Sequence, residues 1–136
     1  MSKALLNTLV NEYYSTRPNL GVQNAPLCVF FFAWSGSGKS TTRRLLVNEL
    51  NATYVCNDEV RELLANHPEA TEQHIDLKTI IESTVEKIFS ESFNKFVIFD
   101  NNIIQYYMHA DSYLNVAKAR NRPIFIIGLP ATEEVL

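Results

Sequence analysis

The stretch that decides the fold is "LCVFFFAWSGSGKSTTRRLLVNEL", residues 27–50. Its first seven residues are apolar without a break, which is how a strand buried on both faces reads. Its last twelve carry a helical pattern, and between them lie two of the chain's four glycines, Gly36 and Gly38. A strand that stops in small residues and restarts as a helix leaves several backbone N–H groups unpaired, with the helix dipole behind them. Such a junction is built for an anion. The alternative is a plain Gly/Ser turn joining strand to helix.

Two phosphate-binding spacings can be compared with this junction. The dinucleotide pattern G-x-G-x-x-G needs a third glycine where Thr41 stands, so it fails. The pattern G-x-x-x-x-G-K-[ST] fits Gly38, Lys39 and Ser40, with Ala33 in place of its first glycine. In that pattern the backbone of Ser35, Gly36, Ser37, Gly38, Lys39, Ser40 and Thr41 wraps the phosphates. Lysine reaches the terminal ones, and the Ser40 hydroxyl meets magnesium.

Composition bounds the rest. A chain of 136 residues, 46% hydrophobic, supports one domain with a real core and is short for two. We divide it into an N-terminal amphipathic helix and linker, residues 1–26, and a nucleotide-binding domain, residues 27–136. A net charge of −3 argues against broad, sequence-independent nucleic-acid binding. Cys28 and Cys56 fall in or beside apolar runs without metal-ligand spacing, which fits reduced core thiols and a cytoplasmic setting. The first residues lack a targeting pattern, and no apolar run reaches membrane-spanning length. Leu5, Leu6, Leu9, Val10, Tyr13 and Tyr14 instead repeat at helical spacing, ahead of a loop, "STRPNLGVQNAP".

Further along, strands and helices alternate. The patterns predict strands over 27–33, 53–56, 95–100 and 123–129. Helices are predicted over 39–50, from about Asp58 to before Pro68, over 73–92 and over 104–120. Leu77, Ile80, Ile81, Thr84, Val85, Ile88 and Phe89 form the apolar stripe of the third of these. This predicts an α/β three-layer sandwich, with a parallel sheet of about four strands and helices on both faces.

Ligands collect at the carboxyl ends of such strands. There the sequence places the phosphate-loop pattern, then Asn57-Asp58, then Asp100-Asn101-Asn102. Four apolar residues followed by aspartate, "FVIFD", form the kind of strand tip whose carboxylate, here Asp100, is expected to hold magnesium directly or through water; a plain turn-forming aspartate is the alternative. In "NDEVRE", Asp58 and Arg61 are three apart and face the same way on a helix. A plain helix start, with Asn57 as cap and Asp58 and Glu59 on the dipole, explains the acids but not the arginine. A carboxylate near the phosphates can take the proton of an acceptor hydroxyl, and an arginine can neutralise a phosphate or position the acceptor.

Taken in order, "GSGKST", the D-x-x-R of Asp58 to Arg61 and the D-x-N of Asp100 and Asn102 resemble the P-loop kinases that include polynucleotide 5′-hydroxyl kinases, zeta-toxin-like kinases and small-metabolite kinases. The resemblance covers about residues 27–136. It implies phosphoryl transfer from ATP with Mg2+ to a hydroxyl of a small molecule or a nucleic-acid end, with no membrane partner. Lys39, Asp58 and Arg61 would be catalytic, binding the transferring phosphate, acting as general base and orienting the acceptor. Ser40 and Asp100 would manage the metal, and Asn102 would lie on the acceptor side. Relatives continue beyond a sequence such as "LPATEEVL" into an arginine-bearing lid, so this form is expected to lack one. A nucleotide-binding or ATPase module and a catalytically silent fold are the other expectations. His67, His74 and His109 lack metal or triad spacing, and Tyr106, Tyr107 and Tyr113 fit helix packing better than base stacking. Trp34 stands where it could cover nucleotide or acceptor.

Overall fold

The protein is described from a computed structural model, which covers residues 3–33, 38–91, 93–102 and 107–129. Its elements are α1 (Lys3–Ser15), β1 (Cys28–Ala33), α2 (Lys39–Leu50), β2 (Thr53–Val55), α3 (Asn57–Ala65), α4 (Glu69–Glu72), α5 (Leu77–Glu91), β3 (Val97–Asn102), α6 (Tyr107–Ala119) and β4 (Ile124–Leu129).

Because β1 is apolar throughout, it needs cover on both faces, and the topology supplies it. The four strands form one all-parallel sheet in the order β2-β3-β1-β4. On one face Cys28, Phe30, Val97 and Phe99 pack beneath Leu9 and Tyr13 of α1, Val60 of α3, Ile80, Ile81 and Ile88 of α5, and Tyr113 of α6. Phe30 and Phe99 stack with centroids 4.4 Å apart, and Tyr113 leans on Phe99 at 5.8 Å. On the other face Val29, Phe31, Ala33 and Ile98 meet Leu46 and Val47 of α2. The chain is thus an α/β fold with helices on both faces of a parallel sheet. No described helix is long and apolar enough to cross a membrane.

The strand order fixes where a ligand can sit. From β1 the chain passes β3 to build β2, and from β3 it passes β1 to build β4. The neighbours β1 and β3 therefore send their connections in opposite directions, which opens a crevice at their carboxyl ends.

Several boundaries differ from the sequence expectation. The helix expected over 73–92 is α5 alone and starts only at Leu77, because His74 turns left-handed at φ 59° and Asp76 caps the new start; the short α4, Glu69–Glu72, lies before the expected span. The Asp76 carboxylate accepts from the Thr79 N–H at 2.9 Å and from its hydroxyl at 2.6 Å, an N-cap in the form D-x-x-T. The apolar stripe itself is in place, with Ile80, Ile81, Thr84, Val85, Ile88 and Phe89 buried. The strand expected over 95–100 runs two residues later. Lys95 precedes it, and its ammonium donates to the carbonyls of Asn19, at 3.0 Å, and Val22, tying down the linker after α1. The strand expected to reach Cys56 stops at Val55, and α6 is described from Tyr107, residues 103–106 lying outside the described part.

Candidate functional site: a basic crevice at the strand tips

Gly38 occupies the cap position of α2 at φ 91°, a left-handed conformation that strains any residue with a Cβ. Its carbonyl accepts from the Thr42 N–H at 3.0 Å and the Thr42 hydroxyl at 3.1 Å. The first turn of α2 has neither an acidic residue nor a side-chain cap, so the positive end of the helix is not neutralised locally. Lys39 is half-buried there, while Ser40 and Thr41 are exposed beside it. Trp34, Ser35, Gly36 and Ser37 lie outside the described residues.

Opposite α2, β3 carries an irregularity. Its pairing with β1 steps from Phe30–Phe99 to Phe31–Asn102, leaving Asp100 and Asn101 without partners on β1. A bulge of this kind re-aims side chains. The two bulged residues serve opposite neighbours. The buried Asp100 carboxylate meets α2: the Lys39 ammonium is 3.1 Å from one oxygen, and the Arg43 guanidinium pairs with the other. Burial opposes the charge on Arg43, but Asp100 outweighs it and raises the guanidinium above its ordinary pKa. Asn101 turns to α3, where its side-chain oxygen accepts from the Asn57 N–H at 2.8 Å.

That bond bears on the alternative reading in which Asn57 caps a plain helix start. It is the first residue of α3, nearly fully buried, and not its cap; Cys56 holds the cap position without a side-chain bond. The orphan N–H of Asn57 is satisfied from β3 instead. Both polar atoms of the Asn57 amide, and the Asn101 amide nitrogen, are buried without a partner. One residue on, Asp58 and Arg61 form the expected pair at 2.6 Å, with side chains 83% and 52% exposed. The sequence-expected residues thus assemble as two ion pairs, Lys39–Asp100 and Asp58–Arg61. They are linked through the Asn101–Asn57 bond. The Asn102 side chain lies outside the described part.

The sequence reading missed the support behind this site. The Arg43 guanidinium lies over the Tyr54 ring, 4.5 Å from its centroid. The Tyr54 hydroxyl donates to one oxygen of Glu59 at 2.8 Å, and the Tyr13 hydroxyl and Arg17 guanidinium donate to the other, each at 2.8 Å. Arg17 is buried, sits 3.8 Å from the Tyr13 ring centroid and donates to the Tyr54 carbonyl at 2.9 Å. Burial raises the Glu59 carboxyl pKa, but Arg17 and the two tyrosine hydroxyls bring it below the ordinary value. Glu59, partly buried in the first turn of α3, is therefore also the shared acceptor of this cluster. The signal available for Arg43 was its spacing: it is four residues after Lys39 and so shares its helix face. For Arg17 and Glu59 no local signal exists, since they meet only through the tertiary fold.

Other candidates lie elsewhere. Arg120 pairs with Glu86, and Arg122 donates to the Phe93 carbonyl; both precede β4 at the amino end of the sheet, away from the crevice. His67 lies between Glu12 and Glu69, at 3.2 and 3.3 Å. Tyr113 is core packing, and Cys28 and Cys56 are buried free thiols.

Among the described residues no three His, Cys, Asp or Glu side chains cluster to hold a metal. The Asp100 carboxylate and Ser40 hydroxyl are hard oxygen donors of the kind magnesium takes, and magnesium fills its remaining positions with phosphate oxygens and water. The donor set thus fits a magnesium ion that arrives with phosphates. The chain matches no protein-family profile and no curated protein. Fold and site together define an α/β chain with a parallel sheet and a cationic strand-tip crevice.

Proposed function

We propose that this chain is a P-loop-type kinase, transferring a phosphoryl group from ATP, with Mg2+, to a hydroxyl of a small molecule or nucleic-acid end. The observation that carries the reading is the meeting of Lys39 and Asp100 at 3.1 Å, across a crevice headed by the uncapped N-terminus of α2. A phosphate-binding cation, a metal-binding carboxylate and an unneutralised helix end at one strand-tip crevice suit a triphosphate.

In this reading the backbone from Ser35 to Thr41 and the Lys39 ammonium bind the phosphates. Asp100 and Ser40 hold magnesium, which when bound neutralises charge that builds on the transferring group. Asp58, exposed and fixed by Arg61, takes the acceptor's proton, and Arg61 orients the acceptor. Asn102 follows the bulge on the same strand and is assigned to the acceptor side. Positioning and charge do most of the work in this chemistry.

The test is ADP release from ATP–Mg with and without hydroxyl acceptors, in wild type and Lys39→Ala. Acceptor-dependent release that falls by about 10²- to 10³-fold in the variant supports the reading. Acceptor-independent release marks an ATPase module instead. Nucleotide binding without any turnover marks a silent fold.

A further inference from the structure

We propose that Arg43 is a phosphate-binding residue that rests on Asp100 until nucleotide arrives, so that magnesium enters this site only together with nucleotide. The proposal rests on the kinase reading and deepens it.

Charge makes the first argument. The Asp100 side chain is only 3% exposed and carries one negative charge, yet both Lys39 and Arg43 hold it. The three groups sum to one positive charge, so a dication arriving alone meets two cations around a carboxylate that Arg43 hydrogen-bonds at one oxygen, while the other lies buried beside Lys39 without a hydrogen bond. An incoming triphosphate reverses the sign. Its oxygens can take both cations and leave the carboxylate to the metal.

Geometry makes the second. Helical side chains tilt toward the helix N-terminus, so an arginine one turn after Lys39 directs its head back toward the end where Lys39 and Gly38 stand. The guanidinium is also held flat. Tyr54 supports one face at 4.5 Å, and Glu59 fixes the Tyr54 hydroxyl. A planar, pre-oriented fork of donors suits phosphate oxygens as well as it suits a carboxylate. A permanent structural ion pair would use the same contacts but would not couple metal to nucleotide.

The experiment uses the full chain as wild type, Arg43→Gln and Asp100→Asn, each checked by thermal melting. Calorimetric titration with ATP–Mg should show affinity falling roughly 10- to 100-fold in Arg43→Gln. AMP, which lacks the terminal phosphates, should bind both forms alike. In a second arm Mn2+ alone is titrated and its free fraction followed by electron spin resonance. Wild type should take up Mn2+ at least fivefold more weakly than Arg43→Gln, and Asp100→Asn should abolish the gain. A folded Arg43→Gln that binds ATP–Mg as wild type does overturns the phosphate role. Equal Mn2+ uptake by wild type and Arg43→Gln overturns the resting contact. Wild type that binds no ATP–Mg fails the kinase reading itself, and with it the phosphate role, while the Mn2+ arm still reports on the resting contact.

Discussion

Lys39 on α2 and Asp100 on β3 stand 3.1 Å apart because β3 bulges where they meet. With regular pairing, Asp100 would face one β1 residue in the ladder. The bulge instead frees it to reach the first turn of α2 while Asn101, its neighbour, reaches α3. Two consecutive side chains thereby connect α2 to α3 at the strand tips.

The acceptor side is open to a direct test. Asp58→Asn should lower acceptor phosphorylation by about 10²- to 10⁴-fold, the range for removing a general base, with ATP affinity unchanged. Steady-state kinetics against acceptor and calorimetry against ATP separate the two effects. If Asp58 serves only the helix dipole, turnover holds and stability alone drops, by about 0.3–1 kcal/mol.

Gly38 and Gly21 offer a matched pair. A methyl group added at either would meet no non-adjacent described residue within 4 Å, so sterics distinguish nothing, but only Gly38 has a positive φ, at 91°. Gly38→Ala should cost about 1–2 kcal/mol of stability, through strain alone. Gly21→Ala should stay within about 0.5 kcal/mol of wild type. Urea unfolding of both variants decides it, and equal effects would refute the conformational argument.

Glu59 predicts a pH dependence. Its folded carboxyl sits below the ordinary value, so its contribution is complete above the unfolded pKa of about 4.3. That contribution is lost as pH falls from there through the folded value. Glu59→Gln should be less stable than wild type at pH 7, by about 1–2 kcal/mol given its part exposure. The gap should narrow toward pH 3. A gap that stays constant from pH 7 to pH 3 in urea titrations would show that ionisation of Glu59 adds nothing.

The thiols should be silent. Burial pushes Cys28 up to about 12 and raises Cys56 as well, so neither forms thiolate near neutral pH. Ellman's reagent at pH 8 should react slowly with the native protein and fully after denaturation. Rapid labelling of either cysteine in the native state contradicts this packing.

Much of the fold was legible because its signals are local. The apolar run of β1, the start of α2 at Lys39 and the stripe from Leu77 to Phe89 follow from periodicity and from Gly38. The late start of α5 was also local, in the D-x-x-T of Asp76 to Thr79, but the expected helix was drawn from residue 73 past it. In the site, spacing paired Asp58 with Arg61 within one helix. What spacing could not reach was the bulge, which depends on how β3 lies against β1, and the cluster of Tyr13, Arg17, Tyr54 and Glu59, whose members come from α1, the linker, β2 and α3. Tertiary geometry alone brings such groups together. Asn57, a cap in the plain-helix-start alternative, is instead the first residue of α3, with its N–H bonded from β3 for the same reason.

The central place of β1 has a consequence for biosynthesis. Cys28 is paired with Val97 on one side and Ile124 on the other, so both neighbours of this wholly apolar strand are made long after it. While the ribosome is still producing α3 and α5, β1 has no partner on either edge and exposes phenylalanines at Phe30, Phe31 and Phe32. Until β4 emerges, the nascent chain presents a ready template for sticking to other chains, the kind of segment that chaperones cover. Its yield in a cell should therefore depend on growth temperature and chaperone supply more than the stability of the finished sheet suggests.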